Sequence, residues 1–304
     1  MIDAISSMEN CTLCPRLCHV NRAQGQTGYC GQTSLVSVAR AALHHWEEPC
    51  ISGSQGSGTV FFCGCNLRCV FCQNSDLAQS NLGRQISTNT LSDIFLKLEA
   101  DGASNINLVT PGHFVPQIIE ALNIAKNKGL SIPIVYNTGS YESVDSIRAL
   151  NGLVDIYMPD LKYMSSSLSQ RLSNALDYFS VASEAISEMY RQVGRNDFDS
   201  SGLMKKGILL RHLVLPGHIE DSRKILKYVY DTYGDNIYVS IMNQFTPMPA
   251  TKDMHDLSHT LSDSAYNRLI DYCLNLGFQN AFIQEGGTCQ DSFIPVWDYS
   301  GIPD

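Results

Sequence analysis

Cysteines dominate the chemistry open to this chain of 304 residues, which holds eleven of them. Most fall in two tight groups. One lies in Cys63-Gly64-Cys65-Asn66-Leu67-Arg68-Cys69-Val70-Phe71-Cys72, and the other is Cys11, Cys14, Cys18 and Cys30. Cys50, Cys273 and Cys289 stand apart, and isolated cysteines usually pack as small hydrophobes. Thiolates at short spacing are soft ligands suited to zinc or to iron–sulfur clusters. The C-x3-C-x2-C spacing of Cys65, Cys69 and Cys72, with no fourth cysteine directly after, fits a [4Fe-4S] cluster with one iron left open. An open coordination position marks a catalytic metal site rather than a supporting one. The alternative is zinc with Cys63 as fourth ligand, although Cys63 also fits the end of a strand. The second group, C-x2-C-x3-C-x11-C, is a complete set of four for a second metal, zinc or an auxiliary Fe-S cluster. The alternative there is four cysteines that only pack.

These ligands need a scaffold. With 44% apolar and 17% charged residues the chain can bury a large core. A net charge of −9 disfavours a general nucleic-acid binder, since phosphate attraction needs a basic face. No window approaches the ~18 consecutive apolar residues of a membrane span. The N-terminus lacks the basic region and apolar stretch of a secretory signal, so a cytoplasmic, reducing location is expected, where grouped cysteines point to metal rather than disulfides.

After residue 57 apolar runs alternate with amphipathic stretches. Strands are predicted at Thr59–Cys63, Ile106–Thr110, Ile132–Asn137, Val154–Asp160, Ile208–Leu215, Ile237–Gln244 and Ala281–Gln284. Between them fall predicted helices: Leu91–Ala100 behind Thr90 and Asp93 as an approximate capping box, Val115–Lys128, Tyr141–Leu150, Leu168–Val193 as two helices, Ile219–Tyr233 and Leu261–Leu276. Glycine ends most of them. Repeated strand and helix argue for parallel βα units, with ligands at the carboxyl ends of the strands. The division expected is 1–57 as a cysteine-rich N-terminal extension, 58–285 as the βα unit and 286–304 as a C-terminal tail.

The segment CGCNLRCVFCQN (Cys63–Asn74) resembles the radical S-adenosylmethionine (SAM) signature, with Phe71 where that family places a residue against the adenine. Asp160-Leu161-Lys162 and RHLVLPG (Arg211–Gly217) are similar to segments of the pyruvate formate-lyase-activating enzyme. An activase-like branch carrying CPRxC, EEPCISG, FFxGCNLRCVFCQN and NLVTPxHF is similar over roughly residues 11–285; the first two stand here at Cys14–Cys18 and Glu47–Gly53. The resemblance implies a partial (β/α)6 barrel. It implies a cluster on Cys65, Cys69 and Cys72 whose open iron chelates SAM, a reductant such as flavodoxin or ferredoxin, and a 5′-deoxyadenosyl radical that abstracts hydrogen from a protein glycine or another substrate. A small-molecule or peptide substrate stays open as an alternative, as does a non-catalytic Fe-S or zinc protein.

Other positions fall at strand ends. Asp160 and Lys162 share one face by strand alternation and, with Arg211, are expected to meet SAM, or else to form a structural ion pair. Asn137 and Gln244 are expected adenosine or ribose contacts. Where the family usually has a Gly-Gly-Glu motif for the SAM amino group, this sequence departs, with Thr110-Pro111-Gly112-His113. Thr110 is the expected replacement acceptor. His113 is the candidate for substrate contact or proton transfer, or else simply a helix-start histidine.

Overall fold

The computed structural model describes residues 8–79, 82–284 and 296–303; Cys289 and most of the 286–304 tail lie outside them. The β-rich runs form ten strands: β1 (Val36–His44), β2 (Ser57–Phe62), β3 (Arg84–Ile86), β4 (Ile106–Val109), β5 (Ile134–Thr138), β6 (Ile156–Pro159), β7 (Asp197–Phe198), β8 (Met204–Leu213), β9 (Tyr238–Met242) and β10 (Ala281–Ile283). The helices are α1 (Pro49–Ser52), α2 (Ser75–Gln79), α3 (Thr88–Ala100), α4 (Val115–Asn127), α5 (Val144–Ala149), α6 (Ser166–Ser173), α7 (Tyr178–Val193), α8 (Ile219–Tyr233) and α9 (Asp263–Leu276).

Strands β2, β4, β5, β6, β8, β9 and β10 pair in that order, all parallel. This gives six βα units and a closing strand. The hydrogen-bonded path runs from β10 to β3 without returning on itself, so the barrel is partial. Strands β2, β5 and β6 are buried along their whole length, as parallel strands covered on both faces must be. On the outer face α3 packs on α4, α5 on α7, and α8 on α9.

Two local features differ from the sequence pattern, at the starts of α3 and α5, while the expected break within 168–193 is found. Helix α3 begins earlier than Leu91, because Ser87, not Thr90, is the cap: its side chain accepts from Thr90 N at 3.0 Å while its own backbone is extended. The stretch 168–193 divides at Asn174, whose left-handed backbone (φ 49°) stops α6. Helix α5 starts at Val144 behind a Ser143 cap, which leaves Gly139–Glu142 as loop. Within 1–57, β1 pairs antiparallel with both β2 and β3, so part of the extension is sheet.

Candidate active site

The loop after β2 carries the first cysteine group. Gly64 has φ 85°, and a Cβ there would stand 2.5 Å from the Cys30 carbonyl oxygen, so the turn admits glycine only. Beyond it the chain wraps back: Leu67 N–H points at Cys65 Sγ (3.3 Å), Cys72 N donates to Cys69 O (3.1 Å), and the Ser173 hydroxyl reaches Cys69 Sγ at 3.0 Å. Burial raises the Cys65 thiol and pushes Cys72 up to about 12; their sulfur neighbours add to the effect and Lys162 opposes it. The Cys65 and Cys72 thiols so placed stay protonated by themselves and need a cation to become thiolates. Among the described residues no three His, Cys, Asp or Glu side chains stand where one metal ion could bind them together. A structural zinc ion closes its site with four ligands, whereas this loop offers three thiols to the cavity, as a four-iron cluster with one open iron would use. The donor set therefore fits a cluster. Cys63 is fully buried at the foot of the loop, its sulfur against Gly83, and is not part of the cavity wall.

The three thiols open on a cavity of about 460 Å³ at the carboxyl ends of the parallel strands. The same cavity is lined by a buried charge network. Asp160 accepts from Lys162 Nζ at 2.5 Å and from Arg211 Nε at 3.0 Å. Arg211 also donates to Asn137 Oδ1 (2.7 Å) and pairs with Glu47 at 3.4 Å. Burial works to raise the Asp160 carboxyl, but the charges and hydrogen bonds of Lys162 and Arg211 hold it below the usual carboxylate range. Burial likewise opposes the charge on Lys162 and Arg211, and Asp160 together with the other neighbouring acidic groups outweighs it in both. Glu47, desolvated beside Arg211 and Glu48, rises to about 7.

The remaining expected residues divide. Phe71 is buried in the cavity wall, its ring 6.3 Å from Tyr163 and 6.2 Å from Phe245. Gln244 lies there too, its Oε1 accepting from Gln284 at 3.0 Å. Thr110 takes φ 58°, an outlier for a β-branched residue, while its N–H donates to Asn137 O. His113 lines the cavity, but its Nε2 lies 2.6 Å from the Cys63 carbonyl, and burial, helped by the Arg22 charge, lowers it to about 3. A neutral ring donating to a backbone carbonyl fastens the loop. That geometry supports a holding role in place of proton transfer.

Glu142 was not singled out by sequence. It is 3% exposed, its Oε1 accepts from Thr138 Oγ1 at 2.6 Å, and its buried Oε2 has no hydrogen-bond partner. Burial raises its carboxyl to about 7 against the hydrogen bonds of Thr138 and Tyr136. A Cβ on Gly112 would fall 2.3 Å from both carboxylate oxygens, so the glycine of the departing Thr-Pro-Gly-His motif makes room for this acid. The legible signal was a carboxylate just past the end of β5, the same signal that marked Asp160.

A family model described as a 4Fe-4S single cluster domain matches residues 52–172, which include the whole cysteine loop. The partial barrel superposes on SuiB of Streptococcus suis bound to S-adenosylmethionine with TM-score 0.50 and 14% identity, covering 73% of this chain and 48% of that one. It superposes on the FeFe-hydrogenase maturase HydG of Carboxydothermus hydrogenoformans with TM-score 0.51 and 14% identity, covering 78% and 56%. The partial α/β barrel is therefore a fold this chain shares with those two proteins. This chain spans about half the length of those two proteins. In sequence it is 29% identical over 262 residues to the uncharacterized protein MJ0674 of Methanocaldococcus jannaschii, covering 84% of this chain and 71% of that one. Among the described residues no helix is long and apolar enough to cross a membrane.

Proposed function

We propose that this chain is a radical SAM enzyme of activase-like type, acting in the cytoplasm with a flavodoxin- or ferredoxin-class electron donor. The observation that carries it is the opening of three cysteines and one charged network onto the same cavity. Cys65, Cys69 and Cys72 would hold a [4Fe-4S] cluster, leaving one iron for the amino and carboxylate groups of SAM. When bound and reduced, the cluster supplies one electron to the sulfonium, releasing methionine and a 5′-deoxyadenosyl radical that takes a hydrogen atom from the substrate.

The protein's own part is binding, orientation and shielding. The unpartnered Oε2 of Glu142 receives the SAM ammonium, taking the place of the family's Gly-Gly-Glu acceptor. Lys162 and Arg211, held in place by Asp160, offer donors to the carboxylate and ribose. Phe71 packs on the adenine, while Asn137, Gln244 and the Thr110 backbone bound the nucleoside. Mixed charge suits a ligand that itself carries an anion and two cations. The substrate we favour is a glycine in a partner protein, on the likeness of Asp160–Lys162 and Arg211–Gly217 to the activating enzyme. Incubating reduced, reconstituted protein with SAM and a candidate glycyl-radical enzyme tests it. Deuterium passing from a labelled partner glycine into 5′-deoxyadenosine supports the activase role, and turnover of SAM without that transfer refutes it.

A further inference from the structure

The N-terminal cysteines form a second enclosed group that the cavity does not use. Between Cys11 and Val20 the chain doubles back through Cys11 N to Val20 O and His19 N to Cys11 O, both 3.0 Å. Leu17 and His19 take left-handed backbone (φ 43° and 56°), an uncommon conformation for such residues that needs outside support. Gly28 is glycine for room: a Cβ there would lie 2.7 Å from Cys18 Sγ. Cys11, Cys14 and Cys30 are buried, Cys18 is half-buried, and all four are free of disulfides. Their sulfurs are close enough to feel one another's charge, as Cys14 does from Cys30 and Cys11, and Cys30 from Cys11 and Cys18.

Beside them lies Arg22, 1% exposed. Its guanidinium donates to the carbonyls of Gln32 (3.1 Å), His113 (2.7 Å) and Thr33 (2.7 Å), and one arm lies 3.9 Å from Cys11 Sγ. Among the described residues it forms no ion pair with a carboxylate. A guanidinium so deeply buried without a counter-ion is costly. Neutral thiols do not relieve that cost. Four thiolates around a four-iron core do, because such a centre carries net negative charge. Zinc on the same four thiolates would balance the guanidinium as well, so metal analysis has to separate iron from zinc.

We infer that Cys11, Cys14, Cys18 and Cys30 hold a second [4Fe-4S] cluster, with Arg22 as its buried counter-charge. Four protein ligands leave no open iron, so this cluster does not bind SAM. Its lobe is clamped to the first loop: Arg16 donates to Asn66 O (2.8 Å) and Ser173 O (3.0 Å), and the Cys30 carbonyl sits over Gly64. The inference stands independently of SAM cleavage.

The test is iron, sulfide and zinc analysis of full-length protein purified anaerobically, as the parent and as the Cys65→Ala, Cys69→Ala, Cys72→Ala triple variant. About eight irons per chain are expected in the parent, and about four with retained visible absorbance in the triple variant. One zinc and no iron in that variant, or no metal at all, overturns the inference. Should the triple variant fail to fold, the parent alone decides: about four irons would contradict the second cluster. In the parent, EPR of the reduced protein should show one signal that shifts with SAM and one that does not. A single, wholly SAM-responsive signal with about four irons would count against it. Arg22→Met should release iron from the second centre while the SAM-responsive signal persists.

Discussion

The two cysteine groups use the same ligand in opposite settings. Cys65, Cys69 and Cys72 face a cavity of about 460 Å³ and share it with Lys162, Arg211 and the unpartnered oxygen of Glu142. Cys11, Cys14, Cys18 and Cys30 are closed in by their own loop and by a buried arginine that donates to three carbonyls and lies beside the Cys11 sulfur and the Phe114 ring. Three ligands with space beside them suit binding and reaction; four ligands with a fixed cation suit a closed centre. What separates a reactive from a closed centre here is the surroundings more than the thiols.

The comparison predicts, first, that replacing Cys65, Cys69 and Cys72 by alanine abolishes formation of 5′-deoxyadenosine, while the same change at Cys11, Cys14, Cys18 and Cys30 leaves SAM binding to the remaining cluster measurable by EPR. Loss of the SAM-responsive signal in both variants would erase the distinction. Next in size is Asp160→Asn, which leaves Lys162 and Arg211 facing each other without their carboxylate. Unfolding stability should fall by about 3–5 kcal/mol, the usual consequence of breaking a buried ion pair on one side. Denaturation curves check this, and a loss under about 1 kcal/mol would mean that solvent already screens the network.

Smaller effects separate ligand contact from architecture. Glu142→Gln removes the charge opposite the SAM ammonium and should weaken SAM binding about tenfold, in keeping with about 1.4 kcal/mol for a charge-assisted contact. Lys162→Ala should do the same with little loss of stability, because Asp160 keeps Arg211. Calorimetric titration with unchanged affinity in both variants would return these residues to a purely structural role.

The smallest effect is a pH dependence. Glu47 has its carboxyl raised to about 7 by burial. A carboxyl raised on folding binds its proton more tightly in the folded state. Its contribution is therefore neutral below the unfolded value of 4.5 and grows unfavourable up to about 7, so stability falls as pH rises through that window. Glu47→Gln should flatten the pH 5 to 7 slope by about 1–3 kcal/mol. An unchanged slope would show that Arg211 fully compensates the charge.

Much of this was legible in sequence because the relevant order is local. The cysteine loop is contiguous, and Asp160 and Lys162 were read at a strand end, just past Pro159, where the network with Arg211 stands although Lys162 lies beyond the strand itself. Glu142 was hidden because apolar periodicity ran the helix back to Tyr141. Ser143 instead caps α5, and Ser140, at φ 64°, turns the loop that carries the acid inward. Arg22 was hidden for a different reason. Its segment has no period, and nothing in a polar, cysteine-rich stretch signals that a guanidinium will be buried against distant carbonyls such as His113. The first omission is one of local turn geometry, the second one of contacts far apart in sequence.

The most direct measurement is the 5′-deoxyadenosine formed when cluster-loaded, dithionite-reduced protein is mixed with SAM. The parent is expected to form it and the Cys65, Cys69, Cys72 triple variant to form none. A parent that carries its iron and yet yields no 5′-deoxyadenosine, or a triple variant that yields as much as the parent, would contradict the assignment of this loop as the SAM-cleaving centre.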